Sequence, residues 1–164
     1  MEKPLIISNT TPIINFSEID CLDVLISLFG SITITPAVAA ELIAKSHLFP
    51  KAAEIARQHV LGLVSPTNML LVQQLTTRVH LGEAECLALA LERPGSLLLL
   101  DDLAAREIAR ASDCLFTGTV GCLIEAKRQG LIKAIRPLLD ALRTKARFWI
   151  ADSLAERVLC DSEE

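Results

Sequence analysis

Short apolar runs alternate with stretches of helical periodicity along this chain. PLIIS (4 to 8), SITIT (31 to 35), LLLL (97 to 100) and CLFT (114 to 117) are rich in aliphatic or β-branched residues and predict strands, and LVS (63 to 65) adds a weaker fifth. Between them, PAVAAELIAK opens with Pro36, whose fixed φ suits the first position of a helix. GEAECLALALE places Cys86, Leu87, Ala90 and Leu91 at helical spacing. DLAAREIARAS, TVGCLIEAKRQG with Gly130 as its stop, and IRPLLDALRTKA complete the helical segments read from the pattern. Strands alternating with helices predict a three-layer α/β/α sandwich around a mainly parallel sheet. Its strands are apolar throughout because helices cover both faces.

Composition narrows this picture. A chain of 164 residues with 51% hydrophobic content supports a single core, so one domain is expected over residues 1 to 160, with 161 to 164 as a frayed tail. No run of about 18 apolar residues is present, and MEKPLIIS turns polar too soon for a secretory leader, so a soluble, cytoplasmic protein with no membrane partner is expected. Cys21, Cys86, Cys114, Cys122 and Cys160 form no CxxC pair and sit mainly among apolar neighbours, the pattern of reduced core thiols. The net charge of −4 argues against general adhesion to nucleic acid, but the charge is unevenly spread. Residues 103 to 150 carry nine Lys or Arg against four acids, whereas residues 1 to 102 carry six bases and eleven acids. A carboxylate-lined site with a basic flank fits that division, as do ordinary solvated helix faces.

The candidate chemistry gathers where LLLL runs into Asp101 and Asp102. In a parallel α/β sheet that strand surfaces at the C-terminal edge, where such folds place ligand sites. One aspartate can cap the following helix, leaving the other free. The helix starting at Pro36 brings Glu41 to the same edge, and the first turn of GEAE brings Glu83. The turn after PLIIS delivers Ser8, Asn9, Thr10 and Thr11, and the turn after CLFT delivers Thr117 and Thr119. Each alone reads as a cap, turn or solvated residue. Together, clustered carboxylates repel one another and call for a cation, and oxygen ligands without His or Cys suit Mg²⁺ or Mn²⁺. His47, His59 and His80 lack metal-ligand spacing, and no Gly-rich nucleotide loop is present. A phosphoacceptor receiver domain also groups acids at a sheet edge, but it needs them after its first and third strands with a Lys after the fifth, an order this chain does not fit.

At these residues the chain resembles the PIN-domain family, the metal-dependent ribonuclease fold that includes VapC-type toxins, and within it an uncharacterised prokaryotic subgroup. The resemblance spans about residues 4 to 160, through IISNTTPIINFSEID, ITPAVAAELIA, LGEAECLALALE, LLLLDDLAAREIA, FTGTVGCLIEAKRQGLI and FWIADSLAERVL in that order. It implies that Glu41, Glu83 and Asp102 are the acidic site residues, with Asp101 as assistant and Thr117 or Thr119 as a nearby hydroxyl. Where the family typically has its first aspartate, this chain has Asn9. An amide oxygen ligates a hard cation more weakly than a carboxylate, so the expected ligands are Asn9, Glu41, Glu83 and Asp102 with reduced metal affinity. The implied activity is metal-dependent hydrolysis of RNA phosphodiester bonds by an endoribonuclease, the toxin of a toxin–antitoxin pair. The alternative is a degenerate PIN fold that binds RNA or protein. Implied partners are single-stranded RNA, an antitoxin protein whose basic side chain enters the acidic pocket, and a second copy in a homodimer. Lys127, Arg128 and the cluster from Arg143 to Arg147 are placed to guide the RNA backbone.

Overall fold

The computed structural model describes residues 3 to 164. In chain order it comprises β1 (Ile6–Ser8), α1 (Thr10–Glu18), α2 (Leu22–Phe29), β2 (Thr33–Ile34), α3 (Pro36–Ala44), α4 (Pro50–Arg57) and β3 (Gly62–Leu63). There follow α5 (Met69–Leu75), α6 (Leu81–Glu92), β4 (Leu97–Leu99), α7 (Leu103–Ala111), β5 (Leu115–Thr117), α8 (Thr119–Arg128), α9 (Arg136–Thr144) and α10 (Asp152–Asp161). The strands form one parallel sheet in the order β3-β2-β1-β4-β5, sandwiched between helical layers. All five expected strands are present, the weak fifth shifted towards Gly62. None of the described helices is long and apolar enough to cross a membrane.

The core sits where the pattern is most apolar. Ile6 and Ile7 of β1 face Leu97 and Leu98 of β4 in register, and Leu98, Leu99 and Leu100 are fully buried. Burying side chains of this size contributes about 1.5–3 kcal/mol each. The ladder runs past the strand ends: Asn9 N–H donates to Leu99 O at 3.1 Å and Leu100 N–H to Thr117 O at 2.8 Å. Those bonds hold the exits of β1, β4 and β5 level, so the residues that follow share one rim.

Local signals fix how the helices leave that rim. Thr35 caps α3 by accepting from Val38 N–H, and Pro36 occupies its first turn. Gly130, at φ +73°, follows the end of α8 as expected of a helix stop. Glu85 of α6 is buried and accepts from Ala37 N–H at 2.9 Å, tying α6 to the first turn of α3.

Two expectations are corrected. The tail at 161 to 164 does not fray: Glu164 accepts from Lys127 Nζ at 2.6 Å, Ile135 N–H at 2.7 Å and Arg136 N–H at 3.0 Å. Three donors converging on one carboxylate bind the tail to the α8–α9 junction. Of the cysteines, Cys86 and Cys122 are buried thiols, with Cys122 pushed up to about 12 chiefly by burial, but Cys160 is exposed on α10.

Candidate functional site

Asn9 occupies the N-cap of α1 in extended conformation, yet its side chain makes no bond to its own helix. Its amide N–H instead donates to Glu83 Oε1 at 2.9 Å, reaching from β1 to the first turn of α6. Thr10 donates its hydroxyl to Glu41 Oε2 at 2.8 Å, which draws the carboxylate of α3 to the same place. Gly82 shows how tightly these groups converge. A methyl group built on it would lie 3.2 Å from Glu41 Oε2 and 3.4 Å from Asn9 Oδ1. Asn9, Glu41 and Glu83 are thus brought together at the C-terminal edge, from three segments far apart in sequence.

Their hydrogen bonding is incomplete. Three buried side-chain oxygens among the described residues have no partner, and two of them, Asn9 Oδ1 and Glu83 Oε2, belong to this cluster. An unpaired buried polar atom costs about 1–3 kcal/mol, so two side by side mark a place built to meet something else. Lys45, one helical turn after Glu41, reaches Glu41 Oε1 at 2.6 Å. Both partners are partly exposed, so solvent screens the pair.

The structure separates the two aspartates, giving the helix cap to Asp102 and not to Asp101. Asp102, expected as a metal ligand, caps α7: its Oδ1 accepts from Ala105 N–H at 2.8 Å and the residue is exposed. Asp101, expected as cap or assistant, turns into the fold with a side chain only 8% exposed. Extended backbone sends neighbouring side chains to opposite sides, so one of an adjacent pair faces the helix and the other the rim. Asp101 Oδ1 accepts from Thr119 N–H at 2.9 Å and Oδ2 from the Thr119 hydroxyl at 2.6 Å. Asn15 of α1 donates to the same hydroxyl oxygen at 2.9 Å. Burial raises the Asp101 pKa above the usual carboxylate value, opposed by the Thr119 bonds and by Arg106, whose guanidinium lies 3.6 Å away. Of the two candidate hydroxyls, Thr119 joins this network. Thr117 instead lines a neighbouring cavity.

A family model described as a PIN domain matches residues 5 to 164. The chain belongs to the PIN-domain family. No curated protein and no solved structure matches it. PIN domains are generally nucleases and typically use divalent metals. In this PIN domain no three His, Cys, Asp or Glu side chains among the described residues form a metal-holding group. Two carboxylates, Glu41 and Glu83, flank the amide of Asn9, as expected, and Asp102, the fourth expected ligand, stands apart as the cap of α7. The donor set still suits a hard cation. It is made only of oxygens, and the two orphaned ones lack the positive partner that a cation would be.

Several residues of this PIN domain escaped the sequence reading. Asn15 is a polar residue set directly between Ile13–Ile14 and Phe16, a signal of a buried partner. Lys45 stands at i+4 from Glu41, the spacing of a helical ion pair. Arg106 has no comparable local signal, because it reaches Asp101 and Leu100 O through the bend between β4 and α7. The expected basic flank is largely committed within the fold. Lys127 binds Glu164, Arg128 binds Glu125, and Arg143 binds Asp152 and Ile150 O.

Proposed function

We propose that this PIN domain is a metal-dependent endoribonuclease that hydrolyses phosphodiester bonds of single-stranded RNA. The observation that carries this reading is the pair of buried, unpartnered oxygens, Asn9 Oδ1 and Glu83 Oε2, beside Glu41. These three residues would hold Mg²⁺ or Mn²⁺, and the ion would supply a more acidic water and charge neutralisation for the phosphate and the leaving oxygen. The Asn9 amide N–H holds Glu83 in place from one side, and the Thr10 hydroxyl does the same for Glu41. Asp101 fixes Thr119 through two hydrogen bonds at the adjoining strand end, where that threonine can position the RNA.

In this reading the protein is the toxin of a toxin–antitoxin pair, working as a homodimer. The Lys45–Glu41 pair then prefigures silencing by an antitoxin protein, since a basic side chain entering from outside would bind the same carboxylate. One feature favours a second reading, a degenerate fold that binds RNA or protein. The Asn9 N–H and the Lys45 ammonium already give each carboxylate a partner without metal.

Calorimetric Mn²⁺ titration together with incubation on single-stranded RNA separates the two. The nuclease reading expects saturable Mn²⁺ binding and cleavage in the wild type, both lost in Glu83→Gln and both strengthened in Asn9→Asp. A wild type that neither binds Mn²⁺ nor cuts RNA, with both properties gained by Asn9→Asp, would establish the degenerate module instead.

A further inference from the structure

Beyond the carboxylates, the same rim opens into a cavity of about 510 Å³ between β5, α8 and the segment leading into α10. Its walls are mostly apolar, with Phe116, Ile124, Phe148 and Trp149 among them, while Asp101 and Arg106 supply charge. Trp149 is 83% exposed, the most exposed large apolar residue described. It is nonetheless firmly presented. On one side Phe148 N–H donates to Leu142 O at 3.0 Å, and on the other Arg143 donates to Ile150 O at 2.9 Å. Apolar surface this large is ordinarily buried, so a tryptophan on an anchored stretch of backbone, left in water over a cavity, points to a ligand.

We infer that this cavity is a nucleobase subsite in which an unpaired base of an RNA strand stacks on Trp149. The inference rests on the nuclease reading for its choice of RNA, and three observations support it. The cavity volume is in the range of small-molecule sites and admits a base with its ribose. The surroundings are cationic: Arg106 and Arg110 lie over the Phe116 ring of the cavity wall at 5.9 and 5.3 Å, and Arg110 has no ion-pair partner among the described residues. These guanidiniums suit the phosphates on either side of a stacked base. Lastly, the Asp101 carboxylate faces the cavity. A base edge can donate hydrogen bonds to it, whereas an aliphatic anchor from a protein partner would bury it against carbon. A single strand is the favoured source of the base, because swinging a paired base out of a duplex costs its pairing and stacking.

Trp149 is the sole tryptophan, so its fluorescence reports on this subsite alone. Titrating a short single-stranded oligoribonucleotide into the protein in EDTA, where cleavage is blocked, is expected to quench the emission saturably. An abasic strand of equal length and an RNA duplex should leave it largely unchanged. By anisotropy of labelled RNA, Trp149→Ala should bind about 5- to 150-fold more weakly, the loss expected for one base–aromatic stack, with Trp149→Phe recovering much of it. Unchanged emission with bound RNA, or wild-type affinity in Trp149→Ala, overturns the inference. So does emission that shifts with protein concentration alone while Trp149→Ala dissociates, which would make the face a contact between copies. Quenching without cleavage in Mn²⁺ leaves the subsite standing and removes the nuclease. Cleavage without any effect at Trp149 does the reverse.

Discussion

Asn9 gives up a capping bond on α1, worth about 1 kcal/mol, to hold Glu83. Gly82 makes this arrangement possible by leaving room beside Glu41 Oε2 and Asn9 Oδ1. In Gly82→Ala the new methyl displaces the more mobile Glu41 carboxylate, while alanine improves the helix by up to about 1 kcal/mol. The expected outcome is an unchanged or higher Tm with weaker Mn²⁺ binding, checked by thermal denaturation and calorimetry on one preparation. A fall in Tm with Mn²⁺ affinity intact would show that Gly82 serves packing alone. At this scale, strand and helix direction were enough to bring Asn9, Glu41 and Glu83 together from sequence. They could not separate Asp101 from Asp102, because that choice depends on which side of the bend after β4 each side chain faces. Lys45 and Asn15 were hidden for a different reason, since their partners are set by side-chain reach and not by topology.

Helix α7 draws its start from Asp102 and its link to the rim from Arg106, four residues on. Asp102→Ala removes the cap and should destabilise the fold by about 1 kcal/mol in urea denaturation, with Mn²⁺ binding unchanged. Lost Mn²⁺ binding in that variant would return Asp102 to the site. Gly118, at the head of α8, meets α7 closely: a methyl there would overlap the Arg106 guanidinium and lie 2.7 Å from Asp101 Oδ1. The inner strands were legible because β1 and β4 are compact aliphatic runs, whereas β3, an exposed Gly-Leu pair, gave only a weak and shifted signal. Helices α1, α2, α4, α5 and α10 were not read from periodicity. In α1 seven of the nine residues are buried, Thr10, Pro12 and Ile13 to Ser17, so no polar face alternates with an apolar one. Helix α5 has seven residues, too few for a clear repeat.

Across the whole molecule, Glu164 joins the end of α10 to α8 and α9. Its pKa is held down to about 2, first by Lys127 and then by the amides of Ile135 and Arg136. A carboxyl depressed in the folded state stabilises fully above its ordinary value near 4.5, and loses that contribution as pH falls towards 2. Urea denaturation between pH 2 and 7 should therefore show wild-type stability declining below about 4.5. Glu164→Gln should be less stable at neutral pH and flatter on the acid side. Identical acid limbs would mean that the latch does not contribute. The sheet order has a further consequence, for the time at which the molecule becomes competent during its synthesis. Strand β1 is made first but lies between β2 and β4, so its second neighbour appears only once Leu97 has left the ribosome. A nascent chain shorter than that holds Asn9 on an open edge, with no β4 beside it. Of the five strands, both neighbours of β1 must therefore be in place before Asn9 sits at a closed rim.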